Sequence, residues 1–433
     1  MQKRIVLSLV ATLVAFGALF ASCTSPASES PAPEPSLYSD LDAGIGFWLE
    51  RTTADSADFV AFNKLGNLYY QRARLTSDIA DYERAGAAYQ SAVDVHPATY
   101  VDGLLGLGFV ATARHEFETA IDLAEQVLAA DPGEEAALAI RGDALVALGQ
   151  YEAAMADYET LARRVPGLAS HARLAILQAM LGDPESAANS WTAALADTNA
   201  GTADRAWALA EHGNFQFAIG RLAEARASHA AALQLVTGYL PAELGLADVR
   251  AAEGDLERAI LTYEGAVRRA PSPETALKLG DLLAATGRQD DAAEQYALVE
   301  AFAALFEASG IRTDLPIIHY YADHGRPNDA VAMARELYQA RPGIYSADAL
   351  AWALHQSGEP AEAAVYAKQA LRFDTPDAAL HFRAGVIFKA AGEAARAETA
   401  AARALELNPA FSPLHAAEAQ SLLAELARVE ASR

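Results

Sequence analysis

One register of small residues constrains this chain more than any other feature. Glycines at positions 149, 182, 220, 254, 287, 325, 358 and 392 are each followed five residues later by an alanine, at 154, 187, 225, 259, 292, 330, 363 and 397. The intervals between the glycines are 33, 38, 34, 33, 38, 33 and 34 residues. A period in this range marks a stacked repeat, in which each unit buries its apolar face only against its neighbours. Each glycine closes a helix-like run, where a left-handed residue ends a helix most easily without a side chain. The alanine then lies where a second helix folds back across the first, and a larger side chain would push the two apart. Prolines at 97, 132, 166, 271, 342 and 409 follow the second helix, which a proline cannot continue.

The best-formed units are LGNLY (residues 65–69) with Ala85, Tyr89 and Pro97, and Gly142, Gly149, Ala154, Tyr158 and Pro166. The pattern recurs in Leu279, Gly280, Gly287, Ala292 and Tyr296, and again in Gly385, Gly392, Ala397 and Pro409. This resembles the tetratricopeptide repeat, or TPR: Leu-Gly, a tyrosine three residues on, an alanine, an aromatic and a closing proline. The resemblance implies an all-α fold, a TPR-type α-solenoid forming a right-handed superhelix of about ten helix-turn-helix repeats with terminal capping helices. The repeats are expected over residues 59–410, with a capping half repeat at 39–58 and a capping helix at 411–433. The first unit carries seven extra residues between Gly66 and Ala85, expected to lengthen its turn or its second helix. The two 38-residue intervals place insertions near DTNAG (residues 197–201) and after LVEAFAALFEASG (residues 298–310). Bends there would divide the array after its fourth and seventh units.

The chain has 33 Lys and Arg against 57 Asp and Glu, a net charge of −24, which disfavours nucleic acid as a partner because phosphates demand cationic faces. Its one cysteine, Cys23, allows no disulfide within the chain. Before it, Lys3 and Arg4 precede an apolar run over residues 5–20 and then Ala21 and Ser22, the pattern of an export signal too short to span a bilayer comfortably. With a cysteine at the cleavage point, residues 1–22 resemble a bacterial lipoprotein signal, although Phe20 stands where leucine is usual. The resemblance implies a lipid on Cys23, and Thr24 in place of aspartate resembles the outer-membrane sorting pattern. Residues 23–38 are rich in Ser, Pro and Glu, cannot bury a core, and read as a disordered tether.

In the resembled family the first helix of each unit, helix A, lines the concave face and carries the ligand contacts. The matching places here begin with Asn63, Asn67, Tyr70 and Gln71, then Phe109, Thr112 and Asp143. They continue through Trp207, Asn214 and Phe217, then Asp248 and Asp281. His319, Asp323, Trp352, His355 and Gln356 follow, and Phe382 and Lys389 end the series. Such a lining suits an extended or helical peptide, with aromatics as anchors and amides for its backbone. A clamp for a terminal carboxylate is not expected, since Asn63 replaces the family's lysine, and Ala136 and Ile140 replace its cationic pair.

Other motifs carry less. GLGFVA (residues 106–111) has the glycine spacing of a dinucleotide loop but lacks the strand and downstream acid which that loop requires. HYYADH (residues 319–324) sets His319 and Asp323 one helical turn apart, a metal-compatible spacing short of the three or four ligands a zinc site needs. No nucleotide loop, metalloprotease helix or serine elbow occurs. The chain is therefore expected to be a non-catalytic protein-interaction scaffold without cofactor or metal, lipid-anchored in the cell envelope and facing the periplasm. The alternatives are a metal-dependent or glycan-processing envelope enzyme built on the same solenoid, and a soluble secreted sensor of small ligands.

Overall fold

A computed structural model describes residues 37–76, 79–96, 100–308 and 315–431, and among these every regular element is an α-helix. The 22 helices form ten antiparallel pairs between a leading and a closing single helix. Cys23, the signal and nearly all of the tether lie outside the described residues.

The chain divides into two units, Met1–Val165 and Pro166–Arg433. In the first, α1 (Leu37–Ala54) packs on the pair α2 (Phe59–Thr76) and α3 (Ile79–Val95). Then come α4 (Val101–Ala113) with α5 (Phe117–Ala130), and α6 (Glu135–Ala147) with α7 (Tyr151–Arg164). The second unit opens with α8 (Leu168–Met180) and α9 (Pro184–Leu195), α10 (Thr202–Ala218) and α11 (Leu222–Leu235), and α12 (Leu240–Ala252) and α13 (Leu256–Arg269). It continues with α14 (Pro273–Ala285) and α15 (Gln289–Ala308), α16 (Leu315–Asp323) and α17 (Pro327–Ala340), and α18 (Ile344–Gln356) and α19 (Pro360–Ala370). It closes with α20 (Ala378–Ala390), α21 (Ala394–Leu407) and the single helix α22 (Ala416–Ala431).

Local chemistry explains the boundaries. Asp183 caps α9 by accepting from the Ser186 amide at 3.0 Å ahead of Pro184, and Ser272 caps α14 from the first turn outward. All eight register glycines have positive φ, between 73° and 86°. In the second pair, which lacks that glycine, His115 takes the place at φ 61°. The paired alanines are buried, from Ala154 at 0% to Ala292 at 1% exposure.

The packing rule beyond the alanines is ring against glycine. A Cβ at Gly66 would approach the Tyr89 ring to 2.7 Å, and one at Gly280 the Tyr296 ring to 2.5 Å. Gly106 faces the same Tyr89 ring, so the glycine spacing of this segment serves helix packing and not a dinucleotide.

The extra residues of the first unit lengthen helix B, α3, to 17 residues as expected and lengthen helix A, α2, to 18 as well, and Arg72 on α2 binds Asp81 on α3 at 2.6 and 2.8 Å to staple the extension. The boundary between the two units falls after the third pair, and the 38-residue intervals contain longer helices, α10 of 17 residues and α15 of 20. Packing of α9 on α10 and of α15 on α16 is nevertheless sparse, so the insertions loosen the stack locally.

Candidate partner-binding surface

Helix A packs beside the next helix A in most places, in the first unit α2 on α4 and α4 on α6, and in the second α8 on α10, α10 on α12, α14 on α16, α16 on α18 and α18 on α20. Each unit thus presents one surface made of A helices only.

In the first unit that surface is mostly closed. Asn67 accepts the Tyr89 hydroxyl at 2.8 Å, and Asp143, 2% exposed, accepts the Tyr158 hydroxyl at 2.7 Å. Tyr70 and Phe109 are 3% and 1% exposed and lie 6.1 Å apart within the core, so the expectation that they anchor a partner is corrected by their burial. Asn63 is buried too, with its side-chain oxygen unpartnered, and Thr112 turns back to the Gly108 carbonyl at 3.0 Å. Only Gln71 of this set is exposed.

In the second unit the A helices are joined by side-chain rungs. Asp248 on α12 accepts from the Tyr263 hydroxyl at 2.5 Å and from the Lys278 ammonium on α14 at 3.0 Å. Asp281 accepts from Tyr296 at 3.0 Å. Asp323, at the end of α16, accepts from Trp352 Nε1 at 2.8 Å and Gln356 Nε2 at 2.9 Å, both on α18. Arg383 on α20 donates to Asp348 on α18 at 3.0 and 3.1 Å, and Lys389 on α20 to Glu425 on α22 at 2.6 Å. These rungs send His319 and Asp323 to different neighbours, so the metal-compatible spacing does not converge on an ion. Among the described residues no group of three or more His, Cys, Asp and Glu is placed to hold a metal.

The electrostatics follow from enclosure. Burial pushes the Asp281 carboxyl up to about 6 against the pull of the Tyr296 hydroxyl, and it raises the Glu211 carboxyl on α10 to about 7. Burial and then the Arg383 guanidinium push the His319 ring down to about 3, so its 3.9 Å approach to Asp348 is not an ion pair at neutral pH. Burial alone would lower the Lys278 ammonium, but Asp248 outweighs it and holds that group well above its ordinary range. Asp281 on α14 also responds to His415 at the start of α22, four A positions away.

Of the remaining expected residues, Trp207 is 7% exposed with its indole nitrogen unpartnered, Asn214 is exposed and bonds Glu211, and Phe217 is half-buried. Trp352 is 7% exposed beside His355, whose Nδ1 is buried and unpartnered, whereas Gln356 remains exposed. Phe382 is 2% exposed and stacks on His415 at 5.2 Å. It floors a cleft of about 360 Å³ between α20 and α22, with Val386, Lys389, Leu422 and Glu425 on its walls. Sequence reasoning missed Lys278, Asp348 and Arg383; the acid on one A helix and the cation about thirty residues on, as in Asp248 and Lys278, were the available signal.

The fold and this surface define a helical-repeat protein of the TPR-type α-solenoid class. The family model described as tetratricopeptide repeat matches residues 104–169, 141–203 and 244–305, so tetratricopeptide repeats are present in both units. Among solved structures the chain is similar to a human IFIT1 dimer with PPP-AAAA, at 16% identity and TM-score 0.45, over 78% of this chain and 88% of that one. It is also similar to Cut9-Hcn1, a hetero-tetramer of the APC/C, at 14% identity and TM-score 0.38, over 90% and 94%. A thermophilic TPR protein from Thermus thermophilus shares 20% identity at TM-score 0.38, over 42% of this chain and 95% of its own. Comparison with curated proteins finds no match.

Proposed function

We propose that this protein is a non-catalytic scaffold that holds a polypeptide against the A-helix surface of its second unit and is tethered to a cell-envelope membrane through a lipid on Cys23. The observation that carries the reading is the run of polar rungs from Asp248 to Glu425. It falls in two stretches, α12 to α14 and α16 to α22, whose combined length suits an extended chain and not a small molecule. Proteins built from tetratricopeptide repeats generally act as scaffolds, and the net charge of −24 disfavours phosphate-rich partners. No described helix is long and apolar enough to cross a membrane, so attachment rests on the signal-like residues 1–22 and Cys23.

A site-specific crosslinking experiment in intact cells tests both parts. A photo-reactive residue at Gln356, exposed on the A-helix α18, should capture a polypeptide, whereas one at Val365, 54% exposed on the B-helix α19, should not. Equal capture at the two positions contradicts the surface assignment. Palmitate incorporation should vanish in Cys23→Ser, and labelling that survives the substitution removes the anchor.

A further inference from the structure

The second unit touches itself across nearly two hundred residues of sequence, twice, in the same register. The turn between α8 and α9 meets the loop between α19 and α20: the Thr375 hydroxyl donates to the Met180 carbonyl at 2.6 Å. The turn between α10 and α11 meets the end of α21: Asn408 Nδ2 donates to the Phe217 carbonyl at 3.0 Å. Thr375 and Asn408 are 3% and 1% exposed, so neither contact is a passing surface encounter. Each join links the turn of one pair to the loop that follows the B helix five pairs further on.

The glycines at these turns have a second duty. Gly182 and Gly220 adopt φ 77° and 73° like the other register glycines, but a Cβ on them would overlap the carbonyl oxygens of Phe373 and Leu407. At Gly287 and Gly358, with φ 81° and 86°, nothing lies within 4 Å. The same turn is therefore a contact surface at two places and open at Gly254, Gly287, Gly325, Gly358 and Gly392. The loop it meets is shaped for the contact: Asp374 is left-handed at φ 54°, and the Thr375 carbonyl pairs with His381 Nε2 at 3.0 Å.

We infer that these two contacts are latches that hold the second unit as a closed coil, and that their release is a discrete opening step which widens the approach to its A-helix surface. Each latch includes a side-chain hydrogen bond and a backbone approach between a turn and a loop, whereas successive pairs are joined along whole helices. Opening at the latches therefore precedes separation of any helix pair. The inference does not depend on which polypeptide the surface holds. Between the latched pairs, the sparse packing of α15 on α16 supplies the place where the coil can flex.

The test compares full-length variants without any partner. Gly182→Ala with Gly220→Ala strains two left-handed turns and blocks both latches, whereas Gly287→Ala with Gly358→Ala imposes the same strain at open turns. Thr375→Val with Asn408→Asp removes both donors without adding bulk and keeps the Asn408 oxygen that accepts from the Ala410 amide. Hydrogen exchange should quicken about tenfold or more in residues 371–377 and 406–410 in both latch variants. The radius of gyration by X-ray scattering should rise in those variants and stay at the parental value in the control. Equal exchange and equal radius in latch variants and control overturn the inference, as does opening in the control alone.

Discussion

The Tyr158 hydroxyl donates to the Asp143 carboxylate at 2.7 Å, joining helix B to helix A fifteen residues earlier. The same join recurs as Tyr263 with Asp248 and Tyr296 with Asp281, and as Tyr89 with Asn67 once the seven-residue insertion is allowed for. Where helix B carries alanine at that place instead, at Ala124, Ala334 and Ala367, the A-helix position is filled by Phe109, His319 and Trp352. At these crossings the ring comes from one side or the other, which conserves volume, whereas the tenth pair sets Ala401 against Val386 with no ring. The acids read from the sequence as ligand contacts therefore have a structural task first.

Removing that task should be measurable. Tyr158→Phe leaves the buried Asp143 without the hydroxyl and should lower stability by about 1 to 3 kcal/mol. Asp143→Asn should cost less, because Asn67 accepts the same bond in the first pair. Urea midpoints check both, and a Phe variant as stable as its parent would contradict the assignment.

The exchange of ring positions predicts coupling between two substitutions. Phe109 and Ala124 are each 1% exposed in one core cluster. Phe109→Asp and Ala124→Tyr should each destabilise, the first by burying a lone charge and the second by overpacking. Together they rebuild the tyrosine–aspartate crossing beside Gly108. The double variant should be less destabilised than the sum by about 1 to 3 kcal/mol. Strict additivity in a double-mutant cycle would show that the two positions do not share one space.

The glycine and alanine register was legible because it is local: a helix end demands a left-handed residue, and a close crossing demands a small one, wherever the chain runs afterwards. The part played by Tyr70, Phe109 and Phe382 was not, because at an A-helix position the next pair decides whether a ring faces solvent or core. Asp248 and Asp281 lie on helix A, as the repeat register requires, yet their tyrosine partners lie on the other helix and no single-helix pattern reveals them. The Thr375 and Asn408 latches had no local signature, since the partner backbone is about half the chain away. The insertions were visible, but whether added residues loop out or extend a helix is settled by packing, as the longer α2, α3, α10 and α15 show.

Glu211 should make the second unit sensitive to alkaline conditions. Its folded value of about 7 stands above the ordinary 4.5, because burial disfavours the carboxylate. The protonated form is the one the fold favours, so this contribution is complete below about 4.5 and is lost as pH rises through 7. Glu211→Gln should then raise the melting temperature relative to the parent at pH 8 and bring little change at pH 5. An equal difference at both pH values would mean that Glu211 titrates normally.

His229 acts in the opposite direction. It occupies the place of the helix-B tyrosine, fully buried, with neither ring nitrogen partnered, between Gly213 and Gly245. Burial presses it from 6.5 to about 4, with Asp248 opposing and His212 reinforcing the shift. The fold favours the neutral ring, so its contribution is complete above 6.5 and is lost as pH falls toward 4, about 3 kcal/mol in all. The first pair presents the same setting around a tyrosine: Tyr89 lies between Gly66 and Gly106 and donates to Asn67, the counterpart of Asn214. His229→Tyr should therefore fit, gain a hydrogen bond to Asn214, and flatten the decline in stability between pH 6.5 and 4. Denaturant midpoints across that range check it, and a variant that declines in parallel with the parent would place the acid-labile group elsewhere.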